Sequence, residues 1–387
     1  MSVTAARGFR AAGVAAGLKA DGRDVALVVN DGPLDAAAGV VTKNRVRAAP
    51  VLWCEQVLAE GRLRAVVLNA KYANACTGPL GFQITHTSAE LVAAALSDAA
   101  ASVGAGEVAV CSTGKIGEPP PMDRLEAGIA DAVAALSATG GPDAADAIRT
   151  TDTVSKQAAA SRDGWTVGGM AKGAGMLAPA LATMLCVITT DAVADAADLD
   201  LALRNATRLT FDRVDSDGCL STNDTVLLLA SGASGVTPSP AELGSAVLEV
   251  CADLARQLIA DAEGASKDIA VEVRGAASED EAVTVARAIS RSNLLKCALH
   301  GEDPNWGRIL AAVGTTDAVF DPHALDAAIN GVWLCKDSAP DQDPAAVDMS
   351  ERQITITVDL NAGDSAATVW TNDLTADYVH ENSAYST

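Results

Sequence analysis

Aromatic residues make up only 3% of the 387 residues, so any core has to be built from Ala, Val, Leu and Ile. Basic residues are also few, with 28 Lys and Arg against 50 Asp and Glu, a formal net charge of −22. That balance excludes nucleic-acid binding, which needs Lys and Arg to displace counterions. It also disfavours an anionic membrane surface. An anionic substrate would meet an unfavourable overall field, so individual lysines near a site become informative. No run of 18 uncharged apolar residues exists, and nothing in the sequence reads as a membrane span. The first residues carry Arg7, Arg10, Lys19 and Arg23 without the apolar run of a signal peptide, and the chain is read as cytoplasmic. The eight cysteines contain no Cys-X-X-Cys pair and read as reduced small hydrophobes. The four histidines lack ligand spacing, which excludes a zinc site. Asp215-Ser216-Asp217-Gly218 has the start of a calcium loop but not its later ligands. No metal is expected.

Half of the chain, 49%, is hydrophobic, and its length suits two domains or one large one. Asp24 to Asn30, Arg64 to Asn69 and Glu107 to Cys111 read as buried strands, and Met184 to Ile188 as another. Asp268 to Arg274 and the alternating Gln353 to Leu360 are further strands. Helices are expected over Ser88 to Ala101, with Ser88 as N-cap, over Pro121 to Leu136, and over Ser239 to Asp261. Gly140 to Asp143 reads as a turn, 337 to 348 as a loop, and 301 to 307 as a structural loop anchored by Trp306. Some strands adjoin and others are separated by helices, which points to an α+β fold rather than a doubly wound parallel sheet.

The most informative segment runs from Lys172-Gly173-Ala174-Gly175-Met176-Leu177-Ala178-Pro179 into Ala182-Thr183-Met184-Leu185. A Thr opening a buried strand becomes a nucleophile if the chain is cut just before it. The freed α-amine titrates near pH 7.7–8 and can take the hydroxyl proton. Alone, an Ala-Thr bond says nothing, because Thr commonly starts strands. The flanking pattern, however, resembles the self-processing site of the glutamate N-acetyltransferase (ornithine acetyltransferase) family. The likeness extends over nearly the whole chain. It includes Gly8 to Gly13, Asn74-Ala75-Cys76-Thr77-Gly78, Ser112-Thr113-Gly114, Thr150-Thr151-Asp152-Thr153 and Phe211 to Gly218. It continues through Ser221-Thr222-Asn223-Asp224 and Asp303 to Arg308 to His380-Glu381-Asn382-Ser383.

The resemblance implies a four-layer β-α-α-β sandwich like that of N-terminal-nucleophile enzymes, with a smaller C-terminal α+β lobe. The division is expected near residue 275, giving a core over 1–275 and a lobe over 276–387. It further implies a cut between Ala182 and Thr183 into chains 1–182 and 183–387. These would stay associated, as a dimer of such heterodimers. Thr183 would hold the acyl group as an ester, and Thr113 with Gly114 would supply the oxyanion donors. Thr150, Lys172, Glu263, Asn382 and Thr387, with Thr183, match substrate-contacting positions. The implied reaction moves an acetyl group from N2-acetylornithine to glutamate by a ping-pong route in arginine biosynthesis. Small-molecule amino acids are the expected partners. No cofactor is implied, and acetyl-CoA stays open as an alternative donor.

Two stretches depart from the family pattern. The usual Asn-Ser-Gly-(Asn or Gly) loop reads Asn69-Ala70-Lys71-Tyr72, and Lys115 follows the Thr-Gly turn where an apolar residue is common. Lys71, Tyr72 and Lys115 are therefore candidate specificity residues. The alternatives to the arginine-pathway enzyme are a paralogue with another acyl donor or acceptor, an amidase or aminopeptidase-like relative using water, and a non-catalytic relative.

Overall fold

A computed structural model describes residues 2–97, 102–178 and 184–384. Its strands are β1 (Phe9–Val14), β2 (Val25–Asn30), β3 (Ala37–Val41), β4 (Ala65–Asn69) and β5 (Val108–Ser112). Then come β6 (Lys156–Ser161), β7 (Thr166–Lys172), β8 (Leu185–Thr190), β9 (Thr225–Ala230) and β10 (Asp268–Ala276). The last five are β11 (Asp326–Ile329), β12 (Val332–Lys336), β13 (Ala339–Pro340), β14 (Gln353–Asp359) and β15 (Ser365–Asn372). The helices are α1 (Ala49–Val57), α2 (Gly78–Leu96), α3 (Met122–Ala134), α4 (Gly141–Ala147) and α5 (Ala196–Leu209). They continue with α6 (Pro240–Ala260), α7 (Glu279–Ser290), α8 (Asn293–His300), α9 (Trp306–Val313) and α10 (Ala376–Ala384).

The strands form three sheets, ordered β1-β2-β4-β5, β3-β9-β8-β7-β6 and β13-β12-β11-β14-β10-β15. Parallel and antiparallel pairs mix within each sheet, as in β4 with β5 and β8 with β9, both parallel, beside antiparallel neighbours. This is the α+β class expected from the sequence. The order of the layers differs from the expected β-α-α-β. Val28 and Leu68 of the first sheet share one apolar core with Met170, Val187, Leu227 and Leu229 of the second. The other face of the second sheet, through Val167, Ile188 and Leu228, packs on Leu203 of α5 and Val247 and Leu254 of α6. Helices α2 and α3 cover the first sheet, against β4, β5 and β2. The layers therefore run helix, sheet, sheet, helix. The strands dictate this. Every residue of β2, β4, β5, β8 and β9 is buried, so each strand needs apolar cover on both faces. The amphipathic helices offer only one such face each and close the outside.

The third sheet packs its own core, with Val271, Ile356 and Val358 against Val285 of α7 and Ile309 of α9. Helix α6 begins as its sequence indicates, with Ser239 and Glu242 forming a reciprocal cap around Pro240. Helix α2 starts ten residues before the expected Ser88, at Gly78 with a proline in its first turn. Ser88 lies inside it and donates its hydroxyl to the Ile84 carbonyl. The glycines expected to form a turn at 140 to 143 instead open α4, again on a proline. Trp306 is the first residue of α9, whose cap is the Asn305 side chain bonding the Arg308 amide. Among the described residues no helix is long and apolar enough to cross a membrane.

Candidate active site

The site forms where β5 and β7 end, between the two facing sheets. β5 is followed by Thr113 and Gly114. Gly114 has φ 124 and sits so close to Lys71 that a Cβ would come within 2.3 Å of the Lys71 carbonyl. The two loops are bonded to each other. Thr113 N–H donates to Asn69 O at 3.0 Å and Lys115 N–H to Lys71 O at 2.9 Å. Asn223 clamps them from the other side, its Nδ2 donating to Ser112 O at 2.8 Å and to Ala73 O at 2.6 Å.

β7 delivers Lys172 into this junction. Its side chain is only 2% exposed. Nζ donates to Thr150 Oγ1 at 2.7 Å and to Thr113 Oγ1 at 3.3 Å, and lies 3.8 Å from Asp152 Oδ2. Burial lowers the Lys172 pKa, and the Asp152 charge opposes that fall. Asp152 joins Lys172 to a second buried lysine. Lys156 Nζ meets Asp152 Oδ1 at 2.7 Å and Asp261 Oδ2 at 2.6 Å, and the Gly173 amide donates to Asp152 Oδ1 at 2.6 Å. Burial alone would raise the Asp152 carboxyl, but Lys172, Lys156 and the Gly173 amide outweigh it and hold it well below the usual range.

Glu263 stands across from Lys172. It accepts from Thr151 Oγ1 at 2.6 Å and from Asn382 Nδ2 of α10 at 2.9 Å. Its backbone amide donates to Ala174 O at 3.0 Å. Gly175 leaves it room, since a Cβ there would lie 2.5 Å from Glu263 Oε2. A cavity of about 800 Å³ opens over these groups. Gly114, Thr150, Thr151 and Glu263 line it, with Lys19, Lys71 and Lys115 as cations and Asp261, Asp377 and Glu381 as acids. Cations and acids on one wall system suit a ligand that carries both charges.

The structure thus places Gly114, Thr150 and Glu263 on the wall of one cavity, with Lys172 bonded to Thr150 and Thr113 and with Asn382 bonded to Glu263. Of the candidate specificity residues, Lys71 and Lys115 line it, whereas the partly buried Tyr72 packs against the core below. Lys115 Nζ is paired with Glu118 at 2.5 Å. Lys71, not Tyr72, takes the left-handed backbone, at φ 80. Ala182, Thr183 and Thr387 lie outside the described residues. The chain on either side of 179–183 is fixed. Leu177 O accepts from the Ser216 amide at 2.6 Å, and the Met184 amide donates to Asp224 Oδ1 at 3.1 Å. Asp152, Lys156, Asp261, Asn223 and Asp224 were not singled out for any role from sequence. Asp152, Asn223 and Asp224 stand in family-like motifs, which was the available signal. Lys156 and Asp261, 105 residues apart, had none. Among the described residues no group of three or more His, Cys, Asp or Glu could hold a metal ion.

Comparison with known proteins gives the family. The ArgJ family model matches residues 10–387. The chain is 66% identical over 387 residues to "Arginine biosynthesis bifunctional protein ArgJ" of Streptomyces coelicolor, covering 100% of both chains. It is 63% identical over 388 residues to the protein of the same name from Thermobifida fusca, again over 100% of both. A crystal structure of ornithine acetyltransferase complexed with ornithine, from Mycobacterium tuberculosis, matches at 61% identity and a TM-score of 0.45. That match covers 48% of this chain and 96% of that one. With a family model matched almost end to end and relatives identical at about two residues in three, the chain belongs to the ArgJ family.

Proposed function

We propose that this chain is a self-cleaving acetyltransferase of arginine biosynthesis that moves an acetyl group from N2-acetylornithine to glutamate through an acetyl-Thr183 intermediate. The observation that carries the reading is that Thr150 and Glu263 line one cavity, Thr150 bonded to Lys172, which also bonds Thr113, and Glu263 bonded to Asn382, with β8 starting just after Thr183.

In processing, the Thr183 Oγ attacks the Ala182 carbonyl carbon, and the peptide C–N bond breaks as the nitrogen takes up a proton. Water then hydrolyses the resulting ester. Chains 1–182 and 183–387 remain, the second with a free α-amine on Thr183. In turnover that amine takes the hydroxyl proton while Oγ attacks the acetyl carbonyl. Ornithine leaves, and glutamate attacks the acetyl-enzyme by the reverse path. The tetrahedral oxyanion of each half-reaction is met by the Thr113 hydroxyl and the Gly114 amide, donors fixed before reaction by the Lys71 and Asn69 loop bonds. Lys172 and Thr150 hold the substrate carboxylate, and Glu263, steadied by Thr151 and Asn382, meets the ammonium. Because both substrates are amino acids, one site serves both half-reactions, and no metal or redox group takes part. We further place the enzyme in the cytoplasm, with its two chains paired as a dimer of heterodimers.

Intact-mass measurement on purified protein, with and without acetylornithine, tests this. Two fragments are expected, the larger starting at Thr183 and gaining an acetyl mass with the donor. Thr183→Ala should leave the chain whole. A folded wild-type protein that stays uncut, or a cut one that never gains the acetyl mass, overturns the reading.

A further inference from the structure

Two lysines approach the Thr150 loop from different parts of the chain, and the chemistry described so far uses only one. Lys172 Nζ bonds Thr150 Oγ1 at 2.7 Å. Lys19 Nζ bonds the preceding carbonyl, Arg149 O, at 3.3 Å. Because Arg149 and Thr150 are successive residues, the two ammonium groups stand at neighbouring points of one loop. Arg149 holds that loop in shape, its Nη2 donating to Asp152 O and to Thr153 O, each at 2.9 Å. The segment that carries Lys19 is also fixed. Asp24, with no exposed surface, accepts the Ala16 amide at 2.6 Å and the Lys19 amide at 2.9 Å on its two carboxyl oxygens. The Asp24 carbonyl accepts the Ala70 amide at 2.9 Å, which ties this segment to the 69–72 loop.

Lys19 is half-buried and lines the cavity. Among the described residues the Arg149 carbonyl is the one hydrogen-bond acceptor for its ammonium, which forms no ion pair there. The other lysines and the arginine of the wall differ. Lys115 is paired with Glu118, and Arg352 with Asp268 and the carbonyls of Ala260 and Ala265. Lys71 is exposed to solvent. An ammonium has three donors, so Lys19 has two to spare on a wall where water is partly excluded, which is a place for an anion. We propose that Lys19 receives the side-chain carboxylate of the acceptor, so that the cavity seats a dicarboxylic amino acid with its α-carboxylate at Lys172 and its side-chain carboxylate at Lys19. This rests on the acetyl-transfer reading above and adds to it the group that tells glutamate from the donor. Acetylornithine has a single carboxylate, and its side chain ends in an ammonium, which belongs with Glu263 and not with a second lysine. Lys19 therefore favours the acceptor and does nothing for the donor.

The test compares full-length wild type, Lys19→Met and Lys19→Arg, with acetylornithine as donor and either glutamate or glutamine as acceptor. Glutamine has nearly the size of glutamate without the side-chain charge. In a ping-pong reaction kcat/KM for each substrate reports its own half-reaction, so the two effects separate. Wild type should prefer glutamate to glutamine by at least about tenfold. Lys19→Met should lower kcat/KM for glutamate by about tenfold or more, leave that for acetylornithine within about threefold, and lose most of the preference over glutamine. Lys19→Arg, which keeps the charge, should retain most of that preference. A role confined to holding the fold would lower both half-reactions together and leave the preference as it is in wild type. That outcome overturns the proposal. A wild type that takes glutamine as readily as glutamate overturns it too, with no variant needed, so the proposal stays open to refutation if Lys19→Met does not fold. A wild type that moves no acetyl group from acetylornithine overturns the acetyl-transfer reading and this inference together. A wild type that does so beside a Lys19→Met with unchanged acceptor preference overturns this inference only.

Discussion

Lys172 donates to Thr113 across 3.3 Å, from one sheet to the other, so a lysine proposed to bind substrate also polarises the hydroxyl proposed to stabilise the oxyanion. The two roles are therefore coupled. Thr113→Ala removes a donor used chiefly in the transition state and should lower kcat by about a hundredfold or more with a smaller effect on KM. Lys172→Ala should raise KM, because the carboxylate it holds is bound in ground and transition states alike. It should also lower kcat, because Thr113 loses its charged neighbour. The double variant should then lose less than the sum of the two, by about 0.5–3 kcal/mol in a kinetic cycle. Strict additivity would show that the contact does not act in turnover.

Lys156 is a fully buried member of this network, and its effect should be on stability. It has no exposed side-chain surface and meets two carboxylates, Asp152 at 2.7 Å and Asp261 at 2.6 Å. Lys156→Met leaves two acids facing each other without their cation. Breaking a buried pair from one side costs about 3–5 kcal/mol, read by denaturant unfolding near neutral pH. The pH dependence has a definite sign. The native Asp152 pKa is depressed, so its contribution is present above the ordinary carboxylate pKa and is lost as pH falls through the folded value. In the variant Asp152 loses a cation that holds it ionised. The gap between wild type and variant should be widest at neutral pH and shrink as pH falls below about 4. A gap that is constant with pH would mean the loss comes from packing alone.

Much of this architecture could be read from the chain, because the signals are local. Uninterrupted apolar runs such as Val25 to Asn30 mark strands covered on both faces, and the Ser239, Pro240 and Glu242 pattern marks the start of α6. The family resemblance named Thr113, Thr150, Lys172, Glu263 and Asn382, residues that the fold brings together. What was not legible depends on partners distant in sequence. Lys156 reads as an ordinary lysine until Asp261, 105 residues on, closes over it. The layer order was missed because period and composition mark a strand as doubly covered without saying whether a sheet or a helix covers it. Ser88 misled for a different reason. A Ser caps helices well, but inside one it bonds the carbonyl four residues back, as it does here to Ile84.

Lys71 carries the clearest difference between this chain and the pattern it resembles. Its backbone keeps the left-handed conformation, φ 80, that a glycine would take without penalty, and its side chain lines the cavity. A non-glycine residue in that conformation costs about 1–2 kcal/mol. Glycine would relieve that cost and lose about 0.5–1 kcal/mol to unfolded-chain entropy. Lys71→Gly should thus leave stability unchanged or raise it by up to about 1 kcal/mol, by chemical denaturation. A cation on the wall of a cavity that also presents Asp261, Glu263, Asp377 and Glu381 should bias which amino acid binds. The measurement is kcat/KM for acetylornithine and for glutamate, in wild type, Lys71→Gly and Tyr72→Asn. Lys71→Gly should change the ratio of the two values by more than about threefold, or ~0.7 kcal/mol. Tyr72→Asn should leave that ratio alone, because its ring packs on the core beneath the cavity. If Lys71→Gly leaves the ratio within threefold, the lysine is a silent change on a tolerant loop. If Tyr72→Asn moves the ratio instead, the specificity of this site is set through the packing under the 69–72 loop and not by the charge above it.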